Sequence, residues 1–298
     1  MLKNINYQIC IFYLTLCTLI FASSLMISCG STTEPTTTTT TSTTTTTQKI
    51  RLYYTIPSPP NYTTQQFCSA VSSNGVNFTT EEGTRLSGAY LSDPDVIKLG
   101  TNNWSMFYSK ANSTEPLINT RLYRASATAP NGTFEVDSSF ADGDLGSVSS
   151  SIMIGSTPYL YLVYFGAIRV ITYSSATDSL TFVNVATSGG ASSPTVIRLT
   201  DGTYKMYYKV SDDAYQANST DGLVWDIGSK LYTYANTPGA ICINGKVYLY
   251  YVNTNPSDAN NGKIMVVVSA NNGASFGAAE VVTGLQNTAC DPIPVGYE

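Results

Sequence analysis

Two short acidic stretches stand out in a chain that contains no histidine: Asp93-Pro94-Asp95 and Cys290-Asp291-Pro292. Without histidine the usual base near neutral pH is missing, and with it the Ser-His-Asp arrangement and the commonest zinc ligand. Acid-base chemistry therefore falls to carboxylates or tyrosine. Two carboxyl groups at one place can divide such work, one giving a proton to a departing atom and the other taking a proton from water or attacking directly. Asp93 and Asp95 are two residues apart, so in a regular strand both side chains point to the same side. Glu115, in the connection Asn112-Ser113-Thr114-Glu115-Pro116, is an acid that a loop could bring to the same place. Each also has a plainer reading. Asp before Pro often bonds nearby backbone amides at a strand entry, and a loop Glu is ordinarily solvated surface charge.

What would position these acids is a repeat. A short strand opening with a small or acidic residue, usually followed by Pro, occurs at Asp93–Ile97, Ser193–Ile197, Thr237–Ile241 and Asp291–Val295, and more weakly at Ser150–Ile154. An aromatic strand follows the same order: RLYYT (51–55), WSMFYSK (104–110), YLYLVYFG (159–166), YKMYYKV (204–210) and VYLYYVN (247–253). Tight turns of the type NGVNF (74–78), NGTF (131–134), DSLTF (178–182), DGLVW (221–225) and NGASF (272–276) complete the set; Asn-Gly and Asp-Gly tolerate the positive φ of hairpin turns. From Asp93 onward there are four complete sets. The N-terminus lacks a first strand and the C-terminus supplies only a first strand, so together they make a fifth. The expected fold is all-β, a five-bladed β-propeller closed by the C-terminal strand pairing into the N-terminal blade; a β-sandwich does not explain that complementarity.

In such a ring each first strand lines the central channel, and Asp93, Asp95 and Asp291 start neighbouring first strands. Asp93-Pro94-Asp95-Val96, the strand Gly202-Thr203-Tyr204-Lys205-Met206-Tyr207-Tyr208 and the turn Ser219-Thr220-Asp221-Gly222-Leu223-Val224-Trp225 together resemble the five-bladed glycosidases of the arabinanase, β-xylosidase and levansucrase group. Ser269 to Phe276 is similar to a sialidase-type Asp-box turn, which carries no chemistry. The resemblance implies an Asp base or nucleophile, a Glu acid and a third Asp that tunes the acid. By position Asp291 matches the base. The third blade has Ser149-Ser150-Ser151 where the family places an acidic residue, and the fourth has Ser192-Ser193-Pro194 where it places the Glu. Asp93, Asp95 or a displaced Glu115 are the candidate partners.

Tyr90, Tyr173, Tyr215 and Tyr234 are candidate stacking surfaces near that face, with Arg121 as a candidate binding residue. A sialidase activity would need three convergent arginines, and the arginines share no repeat position. Two readings stay open: a glycoside hydrolase, and a non-catalytic propeller that binds glycan or protein. No cofactor is expected; the one ion the Asp cluster invites is calcium, because hard cations favour carboxylate oxygens.

Composition narrows the partners. The net charge of -5, with Lys and Arg scattered singly, leaves no basic stripe for nucleic acid. Residues 1–28, with Lys3 ahead of the apolar run 9–27, have the layout of a secretory signal. Met26-Ile27-Ser28-Cys29 resembles a bacterial lipobox, which implies cleavage before Cys29 and acylation of its thiol. Residues 29–48 are Thr-rich and read as a flexible tether, leaving 49–298 as the propeller. The expectation is a monomeric, extracytoplasmic, membrane-anchored lipoprotein that meets carbohydrate; plain secretion is the alternative. Cys68, Cys242 and Cys290 leave one disulfide or none, and no CxxC spacing suggests a metal site.

Overall fold

The five aromatic stretches are the second strands of five antiparallel sheets, and the sheets form a five-bladed β-propeller. The computed structural model describes residues 48–57, 64–111, 120–140, 144–286 and 288–297. The signal segment, Cys29, the tether through residue 47 and Glu115 lie outside the described residues. Among the described residues there is no helix.

Blade 1 takes its inner strand, Cys290–Tyr297, from the C-terminus; outward lie Lys49–Ile56, Gln65–Ser72 and Thr79–Thr80. The inner and second strands of the others are Leu91–Gly100 and Asn103–Ala111 (blade 2), Ser147–Ile154 and Thr157–Tyr164 (blade 3), Ala191–Arg198 and Tyr204–Val210 (blade 4), and Ala235–Ile243 and Lys246–Asn253 (blade 5). Closure runs from Lys49 opposite Tyr297 to Thr55 opposite Cys290. The C-terminal strand thus finds the partner it lacks within its own stretch of sequence, and the ring hides two edges that would otherwise be bare.

Alternation along the second strands explains the core. Leu52 and Tyr54 point to one side and pack with Tyr250 and Val266 of blade 5, while Tyr53 between them points to the other side and packs with Val96 and Phe134 of blade 2. Every second strand does the same, so the five clusters of buried apolar side chains lie one between each pair of neighbouring blades.

The turn residues lock these interfaces. In blade 4 Ser219 Oγ accepts the Gly222 N–H at 2.8 Å, and Asp221 Oδ1 accepts the N–H groups of Leu223 and Val224. The neighbouring Tyr161 hydroxyl then donates to Gly222 O at 2.5 Å, and its ring meets Trp225 edge to face. Tyr250 with Phe78, Tyr53 with Phe134 and Tyr207 with Phe276 repeat the edge-to-face contact at other interfaces. Gly222 has φ +77°, which favours glycine, and a Cβ there would stand 2.6 Å from Ile154 Cδ1 and push that side chain of the next blade aside. Cys68, Cys242 and Cys290 are all free thiols.

Candidate functional site

The inner strand of every blade carries a bulge at the same repeat position. Residues with left-handed φ sit there in all five: Asp93 (53°), Val148 (52°), Ser193 (46°), Thr237 (45°) and Asp291 (50°). In blade 2 Ser92 pairs with Ser109 and Asp95 with Phe107, leaving Asp93-Pro94 opposite Tyr108 alone; blades 4 and 5 repeat the shift, and blade 1 breaks register between Tyr53 and Thr55. In blades 1, 2, 4 and 5 a small or acidic bulge residue followed by proline is what the repeated sequence pattern records; in blade 3 the bulge falls at Val148, two residues ahead of the Ser150–Ile154 stretch that the pattern suggests. Such bulges re-aim one side chain out of the pleat, and a β-branched residue at positive φ, as at Val148 and Thr237, is strained. The bulge residues converge on the channel, whose throat is lined by Asp93, Val148, Ser193, Thr237 and Asp291.

Asp93 and Asp291 are therefore brought together from neighbouring blades. The Asp291 carboxyl lies beside Thr55, the Asp93 backbone and the Cys290 thiol, which donates to it with Sγ 3.6 Å from Asp291 Oδ2. Asp93 is bonded by the Ser92 and Ser109 hydroxyls, and Ser109 Oγ in turn accepts the Val148 N–H at 2.8 Å. Burial pushes both carboxyls up. The charge on Asp291 adds to the effect at Asp93, which rises to about 7. Lys209 pulls both back down. The two titrate as a pair, in which a charge on Asp291 holds the proton on Asp93. Burial raises the Cys290 thiol far above its ordinary value, so it stays a protonated donor.

Asp95 is not part of this pair. The bulge breaks the simple alternation, and Asp95, 4% exposed, accepts the Ser151 backbone N–H of blade 3. Ser150 does the same for Val196 N–H and Thr195 for Ala240 N–H at the next two interfaces. Asp95 is thus one of a series of blade-to-blade links, placed beside Ser149 and Ser151, with Oδ2 left buried and unpartnered. Burial pushes its carboxyl up to about 6, against the pull of the Ser151 and Ser149 groups.

From the throat a groove of about 570 Å³ opens over blades 2 to 4, lined by Asp93, Arg121, Asp144, Tyr164, Phe165 and Lys209 among others. Arg121 is therefore at the site. Tyr234 is 44% exposed on the entry to blade 5, its N–H bonded to Asp213 Oδ1, and Tyr90 stands at positive φ on the entry to blade 2. Two of the expected stacking residues are core instead. Tyr173 is 2% exposed at the far end of its strand, with its hydroxyl donating to Asp178 and its ring against Phe107. Tyr215 packs beside Tyr208 in the interface of blades 3 and 4. Lys209, Thr55, Ser109 and Phe165 were not expected. Lys209 had a signal in the repeat: Thr55, Ser109, Val163, Lys209 and Val252 occupy one position, and only Lys209 is charged.

Among the described residues no cluster of three or more His, Cys, Asp or Glu side chains could hold a metal ion. Asp93 and Asp291 by themselves supply fewer oxygens than the six to eight calcium takes.

No protein-family model and no curated protein sequence matches the chain. Solved structures do. The chain is similar to an α-L-arabinofuranosidase from Clostridium thermocellum, with TM-score 0.54 and 13% identity over 79% of this chain and 91% of that one. It is also similar to an endo-1,4-β-xylanase from Bacteroides thetaiotaomicron, with TM-score 0.53 and 15% identity over 82% and 93%. A third likeness is to a family 117 glycoside hydrolase from Zobellia galactanivorans, with TM-score 0.54 and 12% identity over 72% of each chain. At these identities what is shared is the five-bladed fold.

Proposed function

We propose that this chain is a carbohydrate-active propeller of the glycoside hydrolase type, with Asp291 as base and Asp93 as proton donor. The observation that carries the reading is the placement of these two carboxyls on adjacent bulges at the channel mouth, where burial raises both and the charge on Asp291 raises Asp93 further. Two carboxyls in opposite protonation states are what cleavage of a glycosidic bond requires. Asp93 gives its proton to the departing glycosidic oxygen, and the Asp291 carboxylate takes a proton from the attacking water or itself attacks the anomeric carbon. Lys209 holds down the negative charge that passes to Asp93 as it loses its proton. Arg121 and Tyr234 serve as binding groups around the groove, and Glu115 remains a candidate second acid. The lipobox-like Met26-Ile27-Ser28-Cys29 and the Thr-rich segment support a surface protein acylated at Cys29, which labelled palmitate would test by incorporation into wild type and not into Cys29→Ser.

One observation favours a second reading, a non-catalytic glycan-binding propeller: the bulge residues of blades 3 and 4 are the uncharged Val148 and Ser193, and the stretches Ser149–Ser151 and Ser192–Pro194, where the resemblance implies acids, carry none. Incubating the purified protein with xylan, arabinan and galactan, and reading products by mass, separates the two. Products from wild type and none from Asp291→Asn support the hydrolase; retention on the polysaccharides without products supports the binding module.

A further inference from the structure

Phe165 is 93% exposed, in a protein whose other large aromatics are mostly packed between blades. It occupies the two-residue turn Phe165-Gly166 between the paired residues Tyr164 and Ala167, and both turn residues have positive φ, 48° and 73°. That is the type I′ geometry, which favours Asn or Asp at the first position; a bulky side chain there is strained. The corresponding turn of blade 4 places Ser211, at φ 55°, in the same role. Neither packing nor backbone preference accounts for a phenylalanine here, and strain of this kind persists where the surroundings hold it in place. They do: Gly166 O accepts the N–H groups of both Gly190 and Ala191, anchoring the turn to the entry of blade 4. The Phe165 ring stands at 90° to Tyr164 with 4.6 Å between centroids, and the Arg169 guanidinium lies 3.3 Å from the Tyr164 centroid.

The turn forms one wall of the groove whose floor holds Asp93, Lys209 and Ser193. A wholly apolar partner would leave that charged floor desolvated and unpaired. A sugar ring has what both surfaces need, a face of C–H groups for the aromatic wall and a rim of hydroxyls for the charged floor. At about 570 Å³ the groove is within the range of small-ligand sites. We propose that Phe165, buttressed by Tyr164 and Arg169, is the stacking platform that orients a sugar residue over Asp93. This deepens the carbohydrate reading above and rests on it.

Electrophoresis of the native protein through gels containing soluble xylan, arabinan or galactan, paired with thermal melting, tests the platform. Wild type should be retarded by at least one of the three; Phe165→Ala and Phe165→Asn should bind it at least tenfold more weakly, and Phe165→Trp should keep most of the retardation. Because Asn suits the turn, Phe165→Asn should melt at or above the wild-type temperature. Retardation of the Ala and Asn variants equal to wild type would overturn the platform and leave the carbohydrate reading standing. A lower melting temperature for Phe165→Asn would mark Phe165 as a packing residue and overturn it too. No retardation of wild type by any of the three overturns both.

Discussion

Asp291 on the closing strand and Asp93 on the first complete blade take the same left-handed bulge, φ 50° and 53°, and line one channel throat, so the C-terminal strand meets that blade where their two acids meet. Ring closure and assembly of the candidate site are therefore one event. Residue 291 and residue 93 come together only because Cys290–Tyr297 pairs with Lys49–Ile56.

Exchanging either acid for its amide should stop catalysis while keeping the fold. Asp291→Asn and Asp93→Asn should each lower turnover at least 100-fold, since positioned acid-base groups typically supply about 10²–10⁴-fold. Because Asp93 rises to about 7 and works protonated, wild-type activity should fall as pH climbs through that value. A pH-rate profile that stays flat from pH 6 to 8.5 would count against Asp93 as donor.

Lys209 lowers both carboxyls, so Lys209→Met should let both rise further. The alkaline limb of the pH-rate profile should then move to higher pH, where a purely structural lysine would leave it in place. Comparing the two profiles is the check.

Asp95 gives a stability prediction. Its folded-state value of about 6 lies above the ordinary 3.8. The folded protein thus holds the proton more tightly than the unfolded chain. Stability from this group is fully present below about 4 and is lost as pH rises through about 6, a change of roughly 3 kcal/mol at most. Asp95→Asn keeps a carbonyl for the Ser151 N–H and has no charge to bury. Its melting temperature should vary less between pH 4.5 and 7.5 than that of wild type, with Asp93 and Asp291 contributing in both proteins.

Gly239 tests the closure. A Cβ there would stand 1.7 Å from Pro292 O, in the backbone of the closing strand and one residue from Asp291. Gly239→Ala should cost about 1–3 kcal/mol in denaturant unfolding, as overpacking does, and should depress activity further by shifting Asp291. Unchanged stability would mean that the contact between blade 5 and the closing strand is looser than described.

The amino-acid sequence by itself determined the ring. Its period, the aromatic second strands, the Gly turns and the split first blade are local or ordinal properties, and burial of both strand faces leaves few other ways to satisfy them. It also determined that residue 93 and residue 291 start adjacent inner strands. What only the tertiary structure decided is where each side chain points. Asp93 and Asp95 look equivalent in a strand of period two, yet a bulge turns one into the channel and leaves the other on the neighbouring blade. Tyr173 and Phe165 are both aromatics of blade 3, yet one ends its strand in the core and the other sits on a strained turn over the groove. Lys209 acts on acids from two other blades. These outcomes depend on register shifts and on which neighbour lies across each interface, and both exist only once the last strand has closed the ring.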